Sequence, residues 1–335
     1  MRAPSFWWKP GSGLLLSPLA GFYGAAAWLR LQRHGRSAGI PVICLGNLTV
    51  GGAGKTPAAL MVARLLLAAH RRPFFLSRGY GGRLRGPVMV NPKIHRARDV
   101  GDEPLLLAQL APTIVARDRA AGAETARFGG ASVIVMDDGF QNPSLQKDLS
   151  ILLVDCRRGI GNGRIFPAGP LRAPLEAQLA RAQALVMVGT GDGAAAVEQA
   201  ARRHRLPIFH GRIEPDGQTL LALAGRKILA FAGIADPGKF FATLNEAGIA
   251  IAARAEFADH HQYTAAEARD LLARAEADNL LLLTTEKDHV RLGRDPQLDA
   301  LAAHAGILPV RFVIDEDETF RQMVLTAAHH GANGR

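Results

Sequence analysis

The sequence predicts an α/β fold: a mainly parallel sheet with helices on both faces, a smaller α/β unit after it, and an apolar helix before it. Three observations carry this expectation. Apolar runs of strand length alternate with helical patterns from residue 40 onward. A glycine-rich stretch joins the first such run to the first helical pattern. Residues 10–29 contain no charged side chain, and basic residues flank them.

The expected elements follow in order. Residues 1–36 form a membrane-associating helix. Leu15, Leu19, Phe22, Ala26 and Leu29 fall on one helical stripe. Trp7 and Trp8 on one side, and Arg30, Arg33 and Arg36 on the other, suit a headgroup zone. Glycines, serines and Pro18 interrupt the segment, which favours a helix lying in one leaflet over a full span or a secretory signal. A buried core helix is the competing reading. Residues 37–205 make the first domain, with strands expected at 41–45, 73–77, 113–116, 132–136, 149–155 and 184–189. Helices are expected at 58–70, 103–110 and 175–182. Residues 206–226, punctuated by Pro207, Gly211, Pro215 and Gly225, read as a connecting ribbon. Residues 227–335 make the second domain, with strands at 227–233, 249–254, 280–285 and 309–314 and helices at 238–247 and 264–277.

Composition limits the partners. Apolar residues make up 48% of the 335 and charged residues 21%, as in ordinary folded proteins. The net charge of +10 suits an anionic partner. The arginines are scattered and lack interleaved aromatics, so no nucleic acid is expected. Cys44 and Cys156 lie in apolar runs and read as buried reduced thiols.

The glycine-rich stretch is "GNLTVGGAGKTP" at 46–57. Its strand–loop–helix setting is that of a phosphate-binding P-loop, although Thr49 stands where the usual pattern has its first glycine. Thr49, Val50, Gly51, Gly52, Ala53, Gly54, Lys55 and Thr56 would hold a nucleotide. Backbone N–H groups and the helix N-terminus face the phosphates, Lys55 reaches the β- and γ-phosphates, and Thr56 ligates Mg²⁺. The expected sheet is thus P-loop NTPase-like. "SVIVMDDGFQ" at 132–141 supplies Asp137 and Asp138 at a strand end, as a metal-holding acid should be. A guanine-nucleotide reading fails: no D-x-x-G follows that strand, and "TEKD" at 285–288 has Lys287 one place too late for a base reader. "SRGYGG" (77–82), "GDEP" (101–104) and "ADHHQYT" (258–264) concentrate chemistry in loops. Asp102 and Glu103 equally suit a plain helix start. Three functions remain open on these residues: a membrane-associated lipid kinase, a soluble P-loop kinase or ligase acting on a small metabolite, and a nucleotide-dependent switch.

Taken together and in order, these pieces resemble the tetraacyldisaccharide 4′-kinase (lipid A 4′-kinase) family over nearly the whole chain. The resemblance includes "PLAGFYGAAAWLR", "VICLGNLTVGGAGKTP", "LSRGYGG", "GDEPLLLAQ", "DDGFQ", "FPAGPLRAPL", "FAGIADPGKFFATL", "ADHHQYT" and "TTEKD". That family carries Ser or Thr at the place of Thr49. The resemblance implies transfer of the ATP γ-phosphoryl group to the 4′-hydroxyl of tetraacyldisaccharide 1-phosphate, with Mg²⁺, at the cytoplasmic face of the inner membrane; a monomer is expected. It implies that Asp102 is the base and His260 its dyad partner. Asp137, Asp138 and Thr56 would manage the metal, with Glu103 assisting. Tyr80 would stack on a sugar, and Arg78, Arg119 and Arg172 would meet phosphates. The chain departs from the family at Asn142-Pro143, where an imidazole often follows the glutamine.

Overall fold

The computed structural model describes residues 4–293 and 295–330. Two sheets organise the chain. The larger has nine strands: β1 (Val42–Asn47), β2 (Pro73–Ser77), β3 (Val88–Met89), β4 (Thr113–Val115), β5 (Val133–Asp137), β6 (Leu149–Asp155), β7 (Ala184–Val188), β8 (Ile208–Pro215) and β13 (Val310–Ile314), in the order β13-β8-β7-β6-β1-β5-β2-β4-β3. All neighbours are parallel except β13 on β8 and β3 on β4, the two edges. The smaller sheet, wholly parallel, has β9 (Lys227–Ala232), β10 (Ala250–Glu256), β11 (Leu281–Thr285) and β12 (Gly306–Leu308) in the order β10-β9-β11-β12.

The central strands are continuous apolar runs because both faces are covered. Along β1, Val42 and Cys44 enter one core while Ile43 and Leu45 enter the other. The first face is covered by Ala27 and Leu31 of the N-terminal helix (Ser17–Gln32) and by Ala123 and Ala126 of the helix Arg119–Phe128. The second is covered by Ala59, Val62 and Leu66 of the helix Lys55–Ala68 and by Phe320 and Val324 of the helix Asp317–His330. Cys44 and Cys156 are buried and free, and burial pushes the Cys44 thiol up to about 11.

The structure corrects the expected boundaries. Residues 206–226 are not a ribbon but β8 followed by the helix Gly217–Leu223. Gly211, read as a turn residue, lies inside β8, where a side chain would meet the Phe312 ring of β13. Nor does the second domain run to 335. β13 and the helix Asp317–His330 return to the large sheet, where Phe209 and Phe320 meet edge to face at 5.2 Å. The smaller sheet is therefore an insertion between β8 and β13. The apolar run at 309–314 fits a strand of either sheet, so the sequence did not specify its partner.

The N-terminal helix follows a short 3-10 turn at Leu14–Leu16. Ala20, Gly24, Ala27 and Leu31 pack against the body, and Leu15, Leu19, Phe22, Ala26 and Leu29 point outward. Leu15 is 98% and Phe22 80% exposed. Leu14–Gln32 is long and apolar enough to cross a membrane by length and composition.

Candidate active site

The segments at 48–54, 78–82 and 138–141 follow the carboxyl ends of β1, β2 and β5 in the large sheet, where ligands of such sheets bind. β1 runs into the loop and the helix Lys55–Ala68. Gly54 caps that helix with φ +80, in the left-handed region that glycine adopts without a Cβ penalty, and a Cβ there would meet Ile213 at 2.9 Å. Thr49 is a bridge residue, paired antiparallel with Leu171. Val50 N–H donates to the Pro170 carbonyl at 2.8 Å, and Arg172 N–H to that of Leu48 at 3.0 Å. The loop's first half is thus braced as a strand against the "FPAGPLR" segment. A side chain at position 49 fits such backbone, so no glycine is required.

At the end of β5, Asp137 is buried. Its Oδ2 lies 3.4 Å from the Thr56 hydroxyl, and its Oδ1 has no hydrogen-bond partner among the described residues. Burial first, and then the Glu103 charge, push its carboxyl up to about 7 against the pull of Lys55. Asp138, at φ 53, pairs with Lys55 Nζ at 3.6 Å and accepts from both Nη atoms of Arg172, at 2.7 and 3.2 Å. Those cations overcome burial and hold Asp138 at about 2. Arg172 Nε also donates to the Thr49 carbonyl at 3.1 Å, so it ties the loop to β5. Among the described residues no three His, Cys, Asp or Glu side chains gather to cage a metal. A Mg²⁺ ion held by one or two protein oxygens plus phosphates needs no such cage. The orphaned Asp137 oxygen beside the Thr56 hydroxyl fits that donor set.

Asp102 opens the helix Asp102–Leu107 and is 4% exposed. His260, from the smaller domain, donates through Nδ1 to Oδ2 at 3.0 Å and Oδ1 at 3.1 Å. His260 sits at φ 57, a left-handed conformation that costs a non-glycine residue about 1–3 kcal/mol. Its N–H is fixed on the Gly233 carbonyl. Arg291, also from the smaller domain, donates Nε to Asp102 Oδ2 at 2.8 Å and adds an Nη2 bond to the same oxygen. Burial pushes Asp102 up, but the His260 bond and the Arg291 and Lys287 charges reverse this and hold it below the ordinary carboxylate range. Asp102's hydrogen bond in turn raises His260 above its usual value. Beside it, Glu103 pairs with Lys287 Nζ at 2.7 Å. Burial opposes both charges of that pair, yet Lys287 lowers Glu103 and Glu103 raises Lys287. Lys55 also acts on Glu103, and Glu103 and Lys287 act on Asp137, so loop, strand end and domain junction form one electrostatic site.

The remaining expected residues fall around it. The Tyr80 ring is exposed, 5.3 Å from that of His260. Arg78 is exposed, whereas Arg119 is buried, with a bond to the Ala116 carbonyl and an Nε that has no partner among the described residues. Burial, with the Arg78 charge, pulls Arg119 down to about 10. Asn142 accepts from the Ser144 N–H and hydroxyl and so shapes its own turn. Sequence reasoning missed Lys287 and Arg291. "TTEKD" fails as a base reader and otherwise enters only as part of the family resemblance, with no role for its lysine. The signal that could have found them is the four-residue spacing of two cations on one helix, Glu286–Leu292.

Comparison with known proteins places the chain in a family. A family model described as tetraacyldisaccharide-1-P 4′-kinase matches residues 12–329. The tetraacyldisaccharide 4′-kinase of Rhodopseudomonas palustris (strain BisA53) is 51% identical over 97% of this chain and 95% of its own length. That of Nitrobacter winogradskyi (strain Nb-255) is 49% identical over 97% of both. The crystal structure of LpxK from Aquifex aeolicus in complex with ATP superposes with a TM-score of 0.72, at 26% identity, covering 95% of this chain and 99% of that one.

Proposed function

Since the chain belongs to the tetraacyldisaccharide-1-P 4′-kinase family, we propose that it transfers the γ-phosphoryl group of ATP to the 4′-hydroxyl of tetraacyldisaccharide 1-phosphate in lipid A synthesis. It is a kinase, with ATP and Mg²⁺ as its cofactors. The observation that carries the finer reading is the meeting of Asp102 and His260 across the domain junction, in the same electrostatic site as Lys55 and Asp137.

In this reading, Asp102 accepts the proton of the sugar hydroxyl as its oxygen bonds to the γ-phosphorus. The bond to the β–γ bridging oxygen breaks, and ADP leaves. His260 orients Asp102. Lys55 and the loop N–H groups hold the phosphates, and Arg172, Arg119 and Arg78 supply further positive charge. Thr56 and Asp137 would hold Mg²⁺, which when bound neutralises charge on the transferring phosphoryl group. Asp138 is engaged by Lys55 and Arg172, and Glu103 by Lys287, so both would act on the metal from a distance. Tyr80, exposed beside His260, would stack on the sugar. The outward face of Leu15, Leu19, Phe22 and Leu29 suits the cytoplasmic leaflet of the inner membrane, with the acyl chains nearby. The protein works as a monomer.

Incubation of the purified protein with ATP, Mg²⁺ and tetraacyldisaccharide 1-phosphate should yield the bisphosphate. Absence of that product, with the protein folded and ATP bound, would overturn the assignment.

A further inference from the structure

We propose that Arg291 is a positioning residue that fills one oxygen of Asp102 and so designates the other, Oδ1, as the oxygen that meets the substrate hydroxyl. The inference rests on the reading of Asp102 as the base and adds to it a residue from the opposite domain.

A carboxylate offers about four acceptor sites, two on each oxygen. Oδ2 receives Nε and Nη2 of Arg291, so both of its sites are filled. Among the described residues, Oδ1 receives only the Glu103 N–H, at 2.9 Å, plus the second branch of the His260 Nδ1–H bond that spans both oxygens. A hydroxyl can compete for that shared branch. It cannot compete with a buried guanidinium held at two points.

Arg291 is itself fixed by its own domain. Its side chain has no solvent exposure, and Nη1 donates to the Gly233 carbonyl and to Asp288 Oδ1, each at 2.7 Å. Asp288 is fixed in turn by the Gly233 N–H, the Tyr263 hydroxyl and the Thr285 hydroxyl. Gly233 thus serves Asp288 through its N–H, and Arg291 and His260 through its carbonyl. The two groups that orient Asp102 therefore move as one unit with the smaller domain. Lys287, four residues before Arg291, extends the same grip to Glu103.

A guanidinium lowers the basicity of the carboxylate that it holds. Phosphoryl transfer tolerates this, because its loose transition state asks for alignment and charge placement more than for a strong base. An ionised and rigidly aimed Asp102 suits that demand.

Arg291→Lys keeps the buried charge but has no planar fork, and Arg291→Met removes the charge. Initial rates are measured for both as a function of ATP and of the lipid substrate, with thermal unfolding and ATP binding measured alongside. The expected result is a kcat about 100-fold lower for Arg291→Met, the scale of a misplaced reacting group. A smaller loss is expected for Arg291→Lys, and KM for either substrate should stay within about threefold, since neither substrate touches Arg291. In the Asp102→Asn background, Arg291→Lys should cost nothing further in kcat, because its effect runs through the carboxylate. Additive losses in that double variant, or an unchanged kcat in folded Arg291→Met, would overturn the proposal while leaving Asp102 as the base. An unchanged kcat in Asp102→Asn alone would overturn the base assignment and the proposal with it. Should Arg291→Met fail to fold, the Arg291→Lys cycle decides.

Discussion

Two residues on opposite sides of the site show how its charges are held. Lys55 is buried beside Asp138, and in the proposed function it places charge on the phosphates. Lys55→Ala should lower kcat/KM about 10²–10³-fold, the usual loss for one preorganised donor, in an initial-rate assay. His260 carries a pH dependence of known sign. Its pKa lies above the ordinary 6.5 because Asp102 accepts from it. The contribution to stability is thus full below the unfolded value and is lost as pH rises through the raised folded value. The thermal midpoint of the wild type should therefore fall relative to that of His260→Gln across that window. Parallel curves in scanning calorimetry would contradict the pairing. The P-loop, the aspartates after β5, "GDEP" and "ADHH" were legible in the sequence because each is a local string with its own chemistry. Arg291 was not, since its role exists only where two helices far apart in sequence meet. Thr49 was legible as an exception, but its reason, the bridge to Leu171, lies more than a hundred residues away.

The N-terminal helix and β8 differ in how well their patterns announced them. The outward stripe of the helix was legible at 3.6-residue spacing. The inward stripe of Ala20, Gly24, Ala27 and Leu31 was not, because small residues carry little hydrophobic signal. The inward stripe changes the best test. Removing residues 1–35 would strip the large sheet of part of its cover and delete Trp7, whose Nε1 donates to the Pro167 carbonyl at 3.0 Å. Leu15→Glu with Phe22→Glu leaves that cover intact. The pair should abolish most cosedimentation with anionic vesicles while changing stability by less than about 0.5 kcal/mol for each surface site. Retained vesicle binding would show that the face is not the membrane contact. β8 escaped notice because its Gly211 and Pro215, with Pro207 just before it, mimic a loop. Gly211 serves a close ring approach, and Pro215 sits at the strand's end opposite Val310 on the sheet's outer rim.

At the scale of the whole molecule, the alternation of strands and helices gave the α/β class, while the closing strand was assigned to the wrong sheet. The smaller domain hangs from two adjacent antiparallel strands, β8 and β13, and meets the larger one through charged pairs. On one side these are Asp102 with His260 and Arg291. On the other, Asp236 accepts from Arg157 and Arg158, both at 2.7 Å, and Asp155 pairs with Lys239. A junction of that kind suits opening and closing about a two-strand hinge. A chain ending at residue 308 keeps every strand of the smaller sheet but leaves β8 as a bare edge. It should aggregate and lose cooperative unfolding, as light scattering and calorimetry would report. A soluble, cooperatively melting product would mean that β13 is dispensable.

The same topology sets a timetable during synthesis. Ile213 of β8 and Phe312 of β13 both lie against Gly54, at the mouth of the phosphate loop. A growing chain makes that loop early and its last buttress some 250 residues later. Until Phe312 leaves the ribosome, the nascent protein has the loop but not the packing behind it. The packing behind the loop is thereby completed only after the inserted domain that brings His260 and Arg291 has been made.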